Sequence, residues 1–163
     1  MAARPFRFGV GPSGLLADVA PAWQETIADL EALGFDSVCL GDHLSMMGPF
    51  PALAAGAAWS ERIALALTVA GNDYRSPVLL AQEAMTAQAI SGGRFELGLG
   101  AGWDAADYRQ LGIQLERPGA RIDRLAEAIR IVKLYCAVSR STSPASTTGW
   151  RAWCRPCAGR GRR

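Results

Sequence analysis

The chain has 163 residues, half of them hydrophobic, and a formal net charge of +2 at pH 7. This composition is ample for one hydrophobic core and predicts a globular domain or a fragment of a larger one. It excludes a membrane-spanning protein, because no run approaches the roughly 18 apolar residues that cross a bilayer. The first ten residues, MAARPFRFGV, lack the apolar core of a signal peptide. We therefore expect a cytoplasmic protein with no membrane partner.

Four short apolar runs predict β-strands. Their starts lie about 30 residues apart, which is the length of one strand–helix unit. These runs are Phe6–Val10, Ser37–Leu40, Ile63–Val69 and Phe95–Leu99. Strands that alternate with helices predict a parallel sheet covered by helices. At this length the sheet is either a complete doubly wound sheet or about half of a (β/α)8 barrel. Both architectures place their chemistry at the C-terminal ends of the strands.

The first strand ends in the glycine-rich sequence GVGPSG, residues 9–14. Its glycine spacing matches a dinucleotide-binding loop, with Asp36 and Asp42 as candidate ribose ligands. That motif requires a helix that opens at the loop, whereas Pro21 suits the first turn of a helix that begins later. An ordinary glycine-rich turn is therefore the favoured interpretation. The amphipathic helix that follows is predicted to end at Gly34.

The second strand ends in LGDHLSMMG, which places Asp42 and His43 at the edge where chemistry is expected. His43 is the only histidine in the chain. Imidazole donates or accepts a proton near neutral pH, so His43 is a candidate catalytic residue, although a lone histidine is often structural.

The third strand ends in TVAGNDYRSP, where Asn72, Asp73 and Arg75 are polar candidates and a bland turn is the alternative. A helix is predicted to begin after Ser76 and to end at the glycine pair 92–93.

The fourth strand carries alternating glycines at Gly98, Gly100 and Gly102. One face of the strand then has no side chains, which leaves room either for a flat ligand or for a closely packed neighbour. The ligand is the favoured alternative. A further helix is predicted from the apolar spacing between Ile122 and Val132.

The charge changes along the chain. Up to Leu134, 11 basic residues stand against 15 acidic ones, a net of −4, whereas six arginines and no acidic residue follow. We therefore predict an ordered unit at 1–135 and a disordered or frame-shifted basic tail at 136–163, because the tail shows neither strand nor helix period. The tail's repertoire of residues is that of GC-rich codons read one base out of step.

The tail contains a C-x-x-C pair at Cys154 and Cys157. A structural zinc site needs four ligands, and the remaining candidates lie on predicted packed elements, so we predict no metal. No aromatic and basic platform accompanies the arginines, so we predict no nucleic-acid partner.

Three runs resemble one known family. They are ALGFDSVCLGDHL (32–44), RSPVLLAQEAMTAQAISGGRFELGLGAGW (75–103) and GARIDRLAEAIRIVKLY (119–135). Together they resemble the luciferase-like monooxygenase superfamily, particularly its actinobacterial branch that uses the deazaflavin coenzyme F-420. Members of this superfamily are (β/α)8 TIM barrels. The resemblance therefore implies an α/β fold that is a partial barrel of about the first four strand–helix units.

The resemblance also implies a coenzyme site. The implied cofactor-binding residues are Asp42 and His43 beside the ring, Ala70, Gly71 and Asn72 in the bulge behind it, and Gly100, Ala101, Gly102 and Trp103 in the loop of the fourth strand. The implied cofactor is coenzyme F-420, with FMN as the alternative. The implied reaction is hydride transfer with a deazaflavin or, for FMN, oxygen activation, and His43 would stabilise charge on the ring or shuttle a proton.

The sequence departs from the family after Leu134, where four further strand–helix units are expected. We therefore predict a truncated luciferase-like oxidoreductase with impaired activity on an unspecified small molecule. The alternative is a non-catalytic fragment that at most binds coenzyme or a partner. The two exposed edges of a partial barrel also predict a homodimer.

Overall fold

The computed structural model describes residues 6–12 and 16–142, and in this part of the chain strands alternate with helices. The strands are β1 Gly9–Val10, β2 Ser37–Leu40, β3 Ala64–Gly71 and β4 Phe95–Gly100. The α-helices are α1 Leu16–Val19, α2 Trp23–Ala32, α3 Pro49–Trp59, α4 Pro77–Ile90, α5 Ala105–Leu111 and α6 Pro118–Thr142. Two 3-10 turns lie at Ala20–Ala22 and Asn72–Tyr74.

The four strands form one parallel sheet in the order β1-β2-β3-β4. Each strand therefore pairs with the next strand in sequence, as the βα spacing predicts. The first strand is shorter than the predicted Phe6–Val10, because only Gly9 and Val10 pair with β2. The backbone N–H of Phe8 instead donates to the carboxylate of Asp36 at 2.7 Å.

The core lies between one face of the sheet and the helices. Its largest fully buried aliphatic and aromatic side chains include Ile27, Val38, Leu40, Leu53, Ile63, Leu65, Leu67, Leu80 and Phe95. Trp23 joins α2 to α3, since its buried indole N–H donates to the carbonyl of Ala52 at 2.9 Å. An indole donor that is buried needs such a partner, so this bond fixes how the two helices pack.

Arg94 ties the end of α3 to the start of β4. Its Nη1 donates to Ser60 Oγ at 2.8 Å and to the carbonyl of Ile63 at 3.0 Å. Its Nη2 donates to the carbonyls of Ala57 at 2.8 Å and Ser60 at 3.0 Å, and its Nε donates to the carbonyl of Ser91 at 2.9 Å. All five N–H groups of the guanidinium are therefore satisfied.

The helix ends largely follow the sequence predictions. Gly34 and the glycine pair 92–93 have positive φ angles of 86°, 63° and 94°, as expected for residues that terminate helices. Pro77 is the first residue of α4. The first helical segment begins earlier than predicted, at Leu16, and Pro21 lies in a 3-10 turn before α2.

The last helix passes the predicted boundary at residue 135. It extends to Thr142, so the first seven residues of the predicted tail are helical. The rest of that tail, 143–163, with its C-x-x-C pair and most of its arginines, lies outside the described residues. Among the helices of the described part, none is long and apolar enough to cross a membrane.

Candidate functional site

The C-terminal ends of β2, β3 and β4 meet at one edge of the sheet. Gly71, the last residue of β3, pairs with Gly100, the last residue of β4. The backbone N–H of Gly71 also donates to Asp42, two residues after β2, at 2.9 Å. The loops that follow these three strands are therefore neighbours, and we refer to this region as the sheet mouth.

His43 lies at the sheet mouth and is held by a buried carboxylate. Its Nδ1 lies 2.8 Å from Oδ2 of Asp107, in the first turn of α5. Asp107 is almost fully buried, whereas the His43 side chain is 32% exposed. Within the described part of the chain, no group hydrogen-bonds to Nε2 of His43. Asp107 therefore favours the tautomer with hydrogen on Nδ1, which leaves Nε2 as the free nitrogen.

Asp107 accepts two further hydrogen bonds. They come from the backbone N–H of Leu44 at 3.2 Å and from the hydroxyl of Tyr74 at 3.1 Å. Although burial opposes ionisation, the bonds from His43, Leu44 and Tyr74 lower the pKa of Asp107 below its ordinary value. Burial, together with the bond to Asp107, raises the pKa of Tyr74. The pair is therefore a neutral donor and a charged acceptor at neutral pH.

Trp103 is the exposed aromatic residue of this region. Its side chain is 72% exposed, and its ring meets that of His43 edge-on with centroids 5.6 Å apart. The next residue, Asp104, caps α5 by accepting the N–H of Ala106 at 2.7 Å. Its other oxygen lies 3.7 Å from Nδ1 of His43, so two carboxylates approach the same ring nitrogen.

Asp42 has a structural role in the described fold. Its carboxylate is buried and accepts a bidentate pair from Arg75 at 2.5 and 3.0 Å in addition to the N–H of Gly71. Burial lowers the pKa of Arg75, but the bonds to Asp42 outweigh it and raise the pKa overall. The side chain of Asp42 is therefore paired with Arg75 and with the backbone of Gly71, and its contact with a coenzyme stays a prediction.

The bulge lies two residues earlier than the sequence predicted. The register between β3 and β4 shifts between Leu67 and Ala70, so the irregular residues are Thr68 and Val69. The peptide bond between them is cis. Ala70 and Gly71 are instead regularly paired, and residues 70–72 are all buried. Their contact with a coenzyme stays a prediction.

The alternating glycines of β4 accommodate neighbours, which corrects the favoured interpretation of an open face. A Cβ on Gly98 would lie 2.9 Å from Val69, and one on Gly100 would lie 2.5 Å from the same side chain. A Cβ on Gly102 would lie 2.2 Å from the hydroxyl of Tyr108. The surface beside these glycines is therefore formed by Val69, which is 47% exposed.

The glycine-rich loop after β1 shows similar packing. A Cβ on Gly9 would lie 2.4 Å from Ser37 Oγ, and one on Gly11 would lie 3.1 Å from the carbonyl of Cys39. Gly14 lies outside the described residues. Of the two proposed ribose ligands, Asp36 accepts from the backbone of Phe8, and Asp42 is paired with Arg75.

The structure brings His43 and Trp103, two of the residues that the resemblance implies for the coenzyme site, into contact, and it adds residues that the sequence analysis missed. These are Asp104 and Asp107 in α5 and Tyr74 in the 3-10 turn after β3. A signal for the first two was available, because the sequence AGWDAADY directly follows the fourth strand. Acidic residues there lie at the same edge as His43.

Comparison with known proteins gives the family. The family model described as luciferase-like monooxygenase matches residues 6–150. A 5,10-methylenetetrahydromethanopterin reductase of Archaeoglobus fulgidus is 34% identical over 103 residues, which are 63% of this chain and 30% of the relative. An F-420-dependent glucose-6-phosphate dehydrogenase of Microbacterium testaceum is 34% identical over 121 residues, 69% of this chain and 36% of the relative. The chain thus spans about a third of the length of these relatives.

The fold has solved counterparts. The oxygenating constituent of 3,6-diketocamphane monooxygenase from the CAM plasmid of Pseudomonas putida, solved in complex with FMN, superimposes with a TM-score of 0.68 at 21% identity. The match covers 78% of this chain and 38% of that one. This similarity confirms the predicted α/β fold with strand–helix units of the barrel type. Because the family model covers most of the sequence, the chain belongs to the luciferase-like monooxygenase family.

Proposed function

We propose that this chain carries the coenzyme-facing part of an oxidoreductase and binds the deazaflavin coenzyme F-420 at the sheet mouth. The observation that carries the proposal is the environment of His43. Nδ1 is held by Asp107, Nε2 has no hydrogen-bond partner among the described residues, and the imidazole ring lies beside an exposed tryptophan. A relative named as F-420-dependent, 34% identical over 121 residues, supports the choice of coenzyme.

The residues at the sheet mouth fit a flat ring system with polar edges. Val69 and Trp103 are large apolar side chains that are 47% and 72% exposed at this edge. Exposed apolar and aromatic surface of this kind favours a ligand that covers it. His43 supplies a hydrogen-bonding nitrogen next to that surface, as a ring carbonyl or ring nitrogen requires.

Three side chains have distinct tasks in this proposal. When bound, a deazaflavin supplies a ring carbon that accepts or releases a hydride. His43 would hydrogen-bond to the ring through Nε2 or exchange a proton there. Asp107 is a positioning residue, because it fixes the tautomer of His43 through Nδ1. Trp103 would cover the coenzyme and exclude water.

We also propose that turnover is impaired in this chain. It spans 30% and 36% of the two curated relatives, and β1 and β4 are the edge strands of the described sheet. The sheet mouth is therefore lined by these residues on one side only. The alternative function is not enzymatic: a non-catalytic fragment that at most binds coenzyme or a partner.

FMN is the second candidate coenzyme. The solved monooxygenase with a matching fold holds FMN, and another relative, 31% identical over 108 residues, is named as a monooxygenase. The exposed apolar surface of Val69 and Trp103 and the imidazole of His43 suit either ring system. Measured affinity therefore decides between the two coenzymes.

Titration of the purified chain with coenzyme F-420 and, separately, with FMN tests the proposal by absorbance and fluorescence. We expect saturable binding that is tighter for F-420. Because aromatic contacts contribute about 0.5–1.5 kcal/mol, Trp103→Ala should weaken binding by up to about tenfold, and His43→Ala should weaken it as well. Trp59→Ala is the matched control, since Trp59 is also exposed but ends α3 at the opposite edge of the sheet.

The outcomes separate the alternatives. Tighter binding of FMN selects the second coenzyme. Bleaching of bound F-420 on addition of glucose 6-phosphate, the substrate named in one relative, supports an active enzyme. Saturable binding without bleaching supports the non-catalytic alternative for that substrate. The absence of saturable binding to both coenzymes, or binding that ignores His43 and Trp103, contradicts the proposal.

A further inference from the structure

Four side chains form hydrogen bonds around the backbone that precedes Trp103. None of the four is among the proposed coenzyme contacts. We call this group the loop clamp; it consists of Asp73, Tyr108, Arg121 and Arg124. It joins the turn after β3, helix α5 and the first turns of α6. The two arginines are three residues apart in α6 and therefore lie on the same face of the helix.

The loop clamp holds Gly102 through two contacts. Gly102 has a φ angle of 76°, a conformation that favours glycine, and a Cβ there would lie 3.0 Å from the ring of Tyr108. The aromatic ring therefore rests directly on the backbone that precedes Trp103. In addition, Nη1 of Arg121 donates to the carbonyl of Gly102.

Tyr108 is in turn anchored through Asp73. Its hydroxyl donates to Oδ2 of Asp73 at 2.7 Å, and Arg124 donates to both oxygens of that carboxylate at 3.0 and 2.8 Å. Although burial opposes ionisation, the bonds from Arg124 and Tyr108 lower the pKa of Asp73. A bidentate, charge-assisted pair of this kind is rigid, so the position of Tyr108 depends on α6.

Trp103 has little else to hold it in place. It is 72% exposed, and within the described part of the chain its aromatic contact is with His43 alone. An exposed side chain takes its direction from the backbone that carries it. The orientation of Trp103 over His43 therefore depends on how firmly residue 102 is fixed.

We propose that the loop clamp is a positioning network that sets Trp103 beside His43, with the Tyr108 hydroxyl as its key link. The clamp couples α6 to the sheet mouth, and none of its four side chains forms a hydrogen bond or ion pair with His43 in the described structure. Its consequence for coenzyme binding rests on the proposed function, whereas its effect on the two rings does not.

The two rings give a direct readout in the coenzyme-free, tag-free chain. His43 is the only histidine, so its imidazole protons are assigned in an NMR spectrum without ambiguity. The ring centroid of Trp103 lies 5.6 Å from that of His43, so the ring current of Trp103 shifts the resonances of those protons. The difference in chemical shift between the wild type and Trp103→Leu measures this effect. Tyr108→Phe removes the hydroxyl that bonds to Asp73. We therefore expect this variant to lose the ring-current shift and to retain its fold.

Tyr135→Phe is the matched control, since it removes a tyrosine hydroxyl from α6, outside the loop clamp, and should retain the shift. Arg124→Lys is a second test, because lysine keeps the charge but not the bidentate pair, and we expect the same loss as in Tyr108→Phe. Retention of the full shift in Tyr108→Phe and Arg124→Lys, with both folded by circular dichroism, would overturn the proposal. That outcome would not contradict the proposed coenzyme binding, and a failed coenzyme titration would not contradict the proposed effect of the loop clamp on the two rings.

Discussion

Nδ1 of His43 and Oδ2 of Asp107 lie 2.8 Å apart, and this contact joins the loop after β2 to the first turn of α5. The carboxylate is buried, and its other hydrogen-bond donors in the described part of the chain are the backbone N–H of Leu44 and the hydroxyl of Tyr74. It therefore orients the ring at neutral pH through an Nδ1–H bond.

Replacing this carboxylate by an amide tests its role. In Asp107→Asn the bonds to His43, Leu44 and Tyr74 lose their charge, so we expect stability to fall by about 1–3 kcal/mol. We also expect the tautomer of His43 to become mixed, which nitrogen-15 NMR of the single histidine measures directly. Asp123→Asn, which alters an exposed carboxylate of α6, should change neither quantity. An unchanged tautomer in Asp107→Asn would show that Asp107 does not orient the ring.

The packing of Val69 against Gly100 predicts a specific steric conflict. A Cβ at residue 100 would lie 2.5 Å from Cγ2 of Val69, so Gly100→Ala should destabilise the fold by about 1–3 kcal/mol. The double variant Gly100→Ala with Val69→Ala should recover part of that loss, because it removes the clashing methyl groups. Urea denaturation of the two single variants and the double variant gives the coupling energy.

Gly119→Ala is the control for this cycle. A Cβ there meets nothing within 4 Å in the first turn of α6, so the variant should be neutral or more stable by up to about 1 kcal/mol. If Gly100→Ala is equally harmless, the space beside β4 is open and a flat ligand again becomes the better explanation of the glycines.

Arg94 is expected to contribute more to stability than any exposed arginine. In Arg94→Lys at most three N–H donors replace five, so buried carbonyls at the end of α3 lose partners. We expect a loss of about 2 kcal/mol or more, measured by urea denaturation. Arg130→Lys changes an exposed residue of α6 and should shift stability by less than about 0.5 kcal/mol. Equal effects of the two substitutions would contradict this role for Arg94.

Tyr108 predicts a loss of stability at high pH. Burial, reinforced by the bond to Asp73, raises the pKa of Tyr108 from 10.0 to about 12. A raised pKa in the folded state means that the contribution is fully present below the ordinary phenol pKa and is lost as the pH rises through the folded value. The free energy of unfolding of the wild type should therefore fall more steeply between about pH 10 and about pH 12 than that of Tyr108→Phe. Parallel pH dependence in the two proteins would contradict the prediction.

Much of the fold was predictable because its signals are local. The four strands were found from apolar runs, and Gly34 and Pro77 mark a helix end and a helix start as their backbone preferences require. The edge that carries His43 followed from the rule that parallel strands place their C-terminal ends together. The shortening of the first strand was not predictable, because the side chain of Asp36 competes for its backbone.

The site was less predictable because its contacts join distant parts of the sequence. Asp107 lies 64 positions from His43, and no pattern in either segment specifies that contact. The glycines of β4 show the same limit. A missing side chain indicates that something approaches the backbone, but only the register irregularity in β3 explains why Val69 is the neighbour.

The open edges of the sheet predict self-association of this chain. Within the described sheet, β1 and β4 each pair on one side only, and unpaired strand edges favour pairing with another chain. We expect light scattering after size exclusion to give a concentration-dependent mass above the 17.3 kDa of one chain. Leu99→Lys, which places a charge on β4, should favour the monomer, whereas Leu79→Lys on the exposed face of α4 should not. If Leu79→Lys releases monomers and Leu99→Lys does not, the contact is made by the helical face and not by the strand edge.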